Sequence, residues 1–288
     1  MTARADHDRP TGLDFRAFRG LAMGVLPSGL TAPMLRVFAV MLASVGKDGV
    51  IDILKPHLEE QASVRIDAGH RYVEPLRTTL IDIPAEPELS GLPWFDSIEF
   101  VPGERKKLAG RFVAQLSPEA MAVVADLRWS GTVPVPISEF RRLSTVPGIL
   151  LYLRCKALIA ASPNATEHSI RWAIEDVFGA LGQYCQAAKS KKTLATGETS
   201  ETISLSRVTR VLLEPGVVDI QRNVDDMLIG IDQVKPAEAG RGRAWKRVDI
   251  VFGPRPKRAT LKELNDFTAA RAEYHRTKHR RGDDPALR

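Results

Sequence analysis

One stretch, from Ile203 to Phe252, constrains the fold more than any other, because it predicts a helix followed directly by a two-stranded hairpin. Ser204 or Ser206 can cap the helix, since a hydroxyl oxygen accepts a hydrogen bond from an unpaired amide of the first turn. Pro215 has no amide hydrogen and predicts a kink or break near 212–214. Four apolar residues at roughly helical spacing predict the buried face: Val208, Val211, Leu212 and Val218.

Two runs of alternating polar and apolar residues predict the hairpin. Met227–Val234 and Trp245–Phe252 each alternate as a strand does, and the turn between them, 236–243, is rich in glycine and arginine. Three apolar residues share one face of the second strand: Val248, Ile250 and Phe252.

Positive charge is concentrated on both parts of this helix and hairpin. The helix carries Arg207, Arg210 and Arg222, and the hairpin carries Arg241, Arg243, Lys246 and Arg247. Arginine can read guanine with two hydrogen bonds, and a positive hairpin can hold phosphate. A basic helix backed by a basic hairpin is typical of a winged-helix DNA-binding domain. The alternative is a set of solvated helix cations and a hairpin edge protected by charge.

The first half of the chain repeats this order of elements. A helix opening at Thr31, a strand at 50–54 and helices at 55–64 and 67–80 precede two further strand-like runs, Trp94–Val101 and Gly110–Leu116. The pattern predicts an α+β fold of two tandem winged-helix domains, mostly helical with small antiparallel hairpins. Further candidate DNA contacts are Arg105, Lys106 and Lys107 at the first hairpin's tip, and Arg141 and Arg142 before the following long helix.

The predicted boundaries follow from this order. Residues 1–28 form a flexible N-terminal arm, with a short helix near 14–22. Residues 29–161 form the first winged-helix domain, for dimerisation and backbone contact. Residues 162–256 form the second, for sequence-specific DNA binding, and 257–288 are a basic C-terminal tail. The second domain is expected to open on a helix capped by Thr166, with a buried stripe of Ile170, Ala173, Ile174 and Val177.

Length and composition fit this reading. The 288 residues suffice for two domains, and 44% apolar with 26% charged residues is a globular balance. The net charge of +6 favours a polyanionic partner. No apolar run approaches the ~20 residues of a membrane span, and no signal peptide is visible. Two cysteines in apolar surroundings are expected to be reduced and buried in a cytoplasmic protein.

Catalytic patterns find little support in the sequence. The six histidines form no His-x-His pair, and no glycine-rich phosphate loop ends in Lys-Ser or Lys-Thr. Two cysteines so far apart do not make a zinc site. We therefore expect no enzyme activity, no cofactor and no metal.

Four segments together resemble a known family. They are Arg111–Glu119 (RFVAQLSPE), Leu143–Leu153, Arg210–Ile220 (RVLLEPGVVDI) and Gly242–Phe252. In order and spacing they are similar to motifs of the iteron-binding plasmid replication initiators, whose fold is two winged-helix domains in tandem. The third segment carries one residue more than the family pattern, and the fourth is slightly stretched.

The resemblance implies a protein that binds direct repeats in a plasmid origin and helps to melt an adjacent AT-rich segment. It also implies recruitment of the host initiator and helicase, a homodimer through the first domain, and repression of the protein's own promoter. Two alternatives stay open: a winged-helix transcriptional regulator with no replication role, and an assembly protein whose winged helices bind proteins. A nickase is a more distant alternative.

Overall fold

The computed structural model describes residues 14–67, 71–103, 109–128, 130–165, 167–193, 199–234 and 247–254. Its main helices are α1 (Arg19–Met23), α2 (Ala32–Ala43), α3 (Lys55–Ala62), α4 (Pro118–Ala125), α5 (Ile137–Phe140), α6 (Val146–Ala161), α7 (Ile174–Leu181), α8 (Leu205–Val208) and α9 (Glu214–Asn223). Three short 3₁₀ helices cover Glu74–Thr78, Pro87–Leu89 and Gly182–Ala188, and a π-helical turn covers Thr209–Leu213.

The strands are β1 (Asp14–Phe18), β2 (Leu26–Pro27), β3 (Val50–Leu54), β4 (Ile81–Asp82), β5 (Phe95–Val101), β6 (Arg111–Leu116), β7 (Thr132–Pro136), β8 (His168–Trp172), β9 (Ser190–Thr193), β10 (Thr199–Thr202), β11 (Met227–Val234) and β12 (Arg247–Pro254). Every pair of strands that the structure describes is antiparallel. Helices and small antiparallel sheets together confirm the predicted α+β class.

Two three-stranded sheets have the same strand order. In the first, β6 lies between β5 and β3, and in the second, β12 lies between β11 and β8. Each sheet therefore consists of a hairpin whose closing strand also pairs with an earlier strand. The predicted second hairpin is confirmed by the pairing of β11 with β12; Val248, Ile250 and Phe252 are buried as expected, and so are Asp249 and Val251 between them.

The earlier strand of the second sheet corrects the sequence analysis. Residues 168–172, expected to belong to a helix, form β8, in which Ile170 lies opposite Ile250 of β12. Within β8, Ile170 and Trp172 are buried while Ser169 and Arg171 are exposed, which is a period of two rather than of a helix. The helix begins only at Ile174, and Thr166, its predicted cap, lies outside the described residues.

The predicted flexible arm is also corrected from residue 14 onward. Asp14–Phe18 pairs along its whole length with Thr132–Pro136, and the short helix begins only at Arg19. Ala17 and Phe18 are buried, so this part of the segment belongs to the core. Residues 1–13, like the tail beyond 254, lie outside the description. Of the helix expected at 67–80, the only helical part among the described residues 71–80 is the 3₁₀ helix Glu74–Thr78.

Helix α6 joins the two sheet regions. Most of its first ten residues are buried, from Gly148 to Leu153 and again at Cys155. It packs against α1 and β7 on one side and against α9 on another. The boundary predicted after Ala161 thus falls at the end of a helix that both parts share. No helix in the described ranges is long and apolar enough to cross a membrane.

Candidate nucleic-acid interface

The basic helix runs from Leu205 to Asn223 as α8, the π-turn and α9, and we call it the reading helix. The predicted cap is confirmed, since the Ser204 hydroxyl accepts a hydrogen bond from the Arg207 amide. Of the kink or break predicted at 212–214, the break is absent, because the helix continues past Pro215. The wide turn comes just before this proline, where the Glu214 amide bonds to the carbonyl of Thr209, five residues back.

The buried side of the reading helix faces the core through Val208, Leu212, Leu213, Gly216, Val217 and Ile220. Its exposed side carries Ser206, Arg210, Val218 and Arg222. The structure therefore places Arg210 and Arg222 on one solvent-facing stripe, although Pro215 lies between them.

Val218 corrects the predicted core. The sequence placed it on the buried face, yet 38% of its surface is exposed. It lies four residues before Arg222 and hence on the same helix face. An exposed valine between two exposed arginines gives this face an apolar centre that the sequence analysis missed.

Arg207 lies at the margin of this face. Its side chain is half-buried, and its Nε is buried without a hydrogen-bond partner in the described part of the chain. Arg210, three residues further on, is exposed, so the two arginines are not equally open to solvent.

The hairpin beside the reading helix is described only at its base. Arg241, Arg243 and Lys246 lie outside the described residues. Arg247 is described, and its Nε lies 3.4 Å from Oδ1 of the buried Asp249 two residues later. Arg247 therefore shares its charge with a carboxylate, whereas the sequence analysis treated it as an open phosphate contact.

The candidate DNA-contacting cations in the first half of the chain also fall partly outside and partly inside the described residues. Arg105, Lys106 and Lys107 lie outside the described residues. Arg141 and Arg142 are exposed on the turn between α5 and α6, and Arg142 Nη1 lies 3.0 Å from Oδ2 of Asp225. Since Asp225 directly follows the reading helix, the structure brings this turn to the helix's C-terminal end. That proximity was not visible in the sequence.

No group of three or more metal-binding side chains occurs within the described ranges. The open clefts there are wide, and the one between α6, β8 and α7 has a volume of about 730 Å³. In that cleft Arg154 stacks over the Trp172 ring at 5.4 Å and donates to the Ala22 carbonyl, so its guanidinium is committed to the fold.

Fold and surface together define an α+β protein with two similar antiparallel sheets, one of which carries a basic reading helix. No protein-family profile matches the chain, and no curated protein matches it significantly. Solved structures do match, and one of them is the crystal structure of the Pi initiator protein in complex with iteron DNA. The match covers 84% of this chain and 97% of the Pi chain, with a TM-score of 0.53 and 14% sequence identity.

At that identity the likeness concerns the fold. The resemblance to the iteron-binding initiators, first drawn from short motifs, is thus confirmed at the level of fold, by a similarity to one initiator over 84% of this chain.

Proposed function

We propose that this chain is a sequence-specific double-stranded DNA-binding protein that initiates plasmid replication by binding repeats at the origin. One observation carries the proposal: the exposed arginine stripe of the reading helix belongs to a chain whose fold matches, over 84% of its length, an initiator solved on iteron DNA. The proposal assigns the chain no catalytic step.

The proposed architecture is a pair of tandem winged helices. It is supported by the repeated sheet order, in which β6 and β12 are each the central strand. In each sheet the hairpin follows helical segments, α3 and the 3₁₀ turn in the first, α7 and the reading helix in the second. The long reading helix makes the second winged helix the one that reads bases.

In the proposed complex the exposed stripe of the reading helix lies in the major groove. Arg210 and Arg222 donate to O6 and N7 of guanines, and each such pair contributes about 1–3 kcal/mol of discrimination. Val218 between them packs against the 5-methyl group of a thymine, a contact open to apolar side chains. Arg207 supports the stripe from its margin.

The flanking cations hold the DNA backbone. Arg241, Arg243 and Lys246 belong to the hairpin that would lie on the adjacent phosphates or in the minor groove, with Arg247 at its base. Arg141, exposed on the turn beside the reading helix, extends the contact. Arg105, Lys106 and Lys107 are the corresponding cations of the first hairpin. Such contacts fix the position of the protein without reading sequence.

The family resemblance suggests the remaining partners. These are the host initiator and helicase, and a second copy of the chain bound through the first domain. Repression of the chain's own promoter belongs to the same group of proposals.

The test begins with duplexes that the full-length protein selects from a random library. Replacing both Arg210 and Arg222 by alanine is expected to weaken binding to the selected duplex at least a hundredfold, and binding to random duplex by less than tenfold. The difference follows because base contacts act only on the selected sequence. An equal loss on both duplexes would refute base reading by this helix.

Replication is tested separately. A plasmid whose only origin is the DNA flanking this gene should replicate when the chain is supplied, and should be lost with the double variant. A protein that binds the flanking repeats but supports no replication would be the alternative, a winged-helix transcriptional regulator.

A further inference from the structure

On the buried side of the reading helix, Asp219 is only 5% exposed and makes an unusually dense set of contacts. Its carboxylate accepts hydrogen bonds from the amide and hydroxyl of Ser144 at 2.9 Å each, and from the amide and hydroxyl of Thr145 at 2.8 Å each. Asn223 Nδ2, one helical turn further on, donates a fifth at 2.8 Å. Every donor except Asn223 lies on the turn that leads into α6.

The same turn is held from its other side by the first part of the chain. Arg36 of α2 donates through Nη1 to the carbonyls of Arg141, at 2.9 Å, and Leu143, at 2.7 Å. Thr145 in turn caps α6, because its hydroxyl accepts from the Gly148 amide. A continuous set of hydrogen bonds therefore links α2, the turn 141–145 and the reading helix, and we call it the clasp.

Close backbone packing stiffens the clasp. A Cβ added to Gly216 of the reading helix would lie 3.1 Å from the Gly148 amide nitrogen and 3.1 Å from the Pro147 carbonyl carbon. The backbones of the two helices thus approach each other closely at Gly216 and Gly148. Nearby, the largely buried Lys156 bridges the exposed Asp226, at 2.9 Å, and the buried Glu139 of α5, at 3.2 Å. Burial raises the pKa of the Glu139 carboxyl, while the Tyr152 hydroxyl and Lys156 oppose that rise.

We propose that Asp219 is a positioning residue that sets the spacing between the two DNA contacts of the protein. The proposal rests on the proposed function above. Because the clasp fixes the reading helix relative to α2, the distance and rotation between the contacts of the two winged helices are fixed too. One added base pair shifts the second contact by about 3.4 Å and about 35° around the duplex. A rigid clasp therefore makes the protein intolerant of altered spacing within its site.

The experiment uses the full-length protein and the duplex it selects from a random library. Hydroxyl-radical footprinting locates the contacts of the two parts, and one or two base pairs are inserted between them. Wild-type protein is expected to lose at least tenfold in affinity per inserted pair. Asp219→Asn keeps the side-chain shape but cannot accept hydrogen bonds from all five donors. This variant is expected to lose less than threefold in affinity per inserted base pair, while its base preference under the reading helix stays the same.

Two further variants separate positioning from stability. Ser144→Ala combined with Thr145→Val removes two of the five donors and should partly reduce the discrimination against altered spacing. This double variant replaces Asp219→Asn in the experiment if Asp219→Asn does not fold. Ile51→Ala empties a buried site in β3, away from the clasp, and should lower stability while leaving spacing discrimination as sharp as in the wild type.

The outcomes distinguish the two proposals. If the wild-type protein selects no duplex, the proposed function fails and the spacing role fails with it. If a duplex is selected but wild type tolerates insertions, or the clasp variants discriminate spacing as sharply as wild type, only the role of Asp219 is overturned.

Discussion

At the scale of single residues, the exposed stripe of the reading helix combines charge with one apolar side chain. Arginine recognises guanine, while a valine can recognise only a methyl group or exclude water. A substitution of Val218 therefore tests base reading through an apolar contact, which electrostatic attraction to the phosphates cannot produce.

We expect Val218→Ala to weaken binding to the selected duplex about three- to tenfold, on the order of 1 kcal/mol for lost apolar contact. Replacing the contacted thymine by uracil should weaken wild-type binding similarly and leave the variant unaffected. Titration of the four protein–DNA combinations by fluorescence anisotropy measures this coupling. Independent, additive effects would place Val218 away from the thymine.

The cysteines give a second prediction at this scale. Burial raises the pKa of the Cys155 thiol far above its ordinary value and that of Cys185 to about 12. At neutral pH both thiols are therefore protonated in the folded protein, and the thiolate is the reactive form. We expect neither cysteine to react with a disulfide reagent until denaturant unfolds the chain. Rapid labelling of two thiols in the native protein would contradict the described burial.

At the scale of helices and strands, local sequence patterns predicted those features that depend only on neighbouring residues. The Ser204 cap and the strand Met227–Val234 depend on a few adjacent positions, and both are confirmed. Strands β1 and β8 were missed because their partners, β7 and β12, lie far along the chain. Around Ile170 the apolar residues fit a helical and a strand period equally well, and pairing with β12 decides between them.

Two glycines test the packing of α6 against the reading helix. Gly216→Ala places a Cβ against backbone atoms of α6 and should destabilise the fold by about 1–3 kcal/mol, the usual range for overpacking. Gly179→Ala is the matched control, since a Cβ there meets no atom within 4 Å in helix α7. It should be neutral or stabilising by up to about 1 kcal/mol. Urea unfolding measures both, and equal effects would argue against the close contact.

At the scale of the whole molecule, binding should depend strongly on salt, because each phosphate contact releases counterions. Arg141→Ala should weaken binding to all duplexes alike and reduce the slope of log affinity against log salt by about one. Arg128→Ala changes the net charge equally, but Arg128 is already paired with Asp126 and Glu86. It should leave the slope unchanged. Equal changes of slope in both variants would mean that Arg141 acts only through the net charge of the protein and not through a phosphate contact.

Much of the whole-molecule architecture was within reach of the sequence, because a repeated order of helices and hairpin predicts a repeated arrangement. The contact between the reading helix and the turn before α6 could not be predicted from the sequence. Asp219 is one acidic residue among many until the turn at Ser144 and Thr145 folds against it. Contacts between distant segments have no period, so no local pattern predicted the clasp.

The wide turn at Thr209–Leu213 has a consequence for the angular phase of the reading helix. Arg210 and Arg222 are twelve positions apart (222 − 210), which in a regular α-helix means about 120° around the axis at about 100° per residue. One surplus residue absorbed in the wide turn reduces that angle to about 20°. A chain shortened by one residue between Val211 and Leu213 would wind evenly, with eleven positions between the two arginines, and would keep them about 20° apart. The wide turn thus accommodates the surplus residue without rotating the two charges away from one groove.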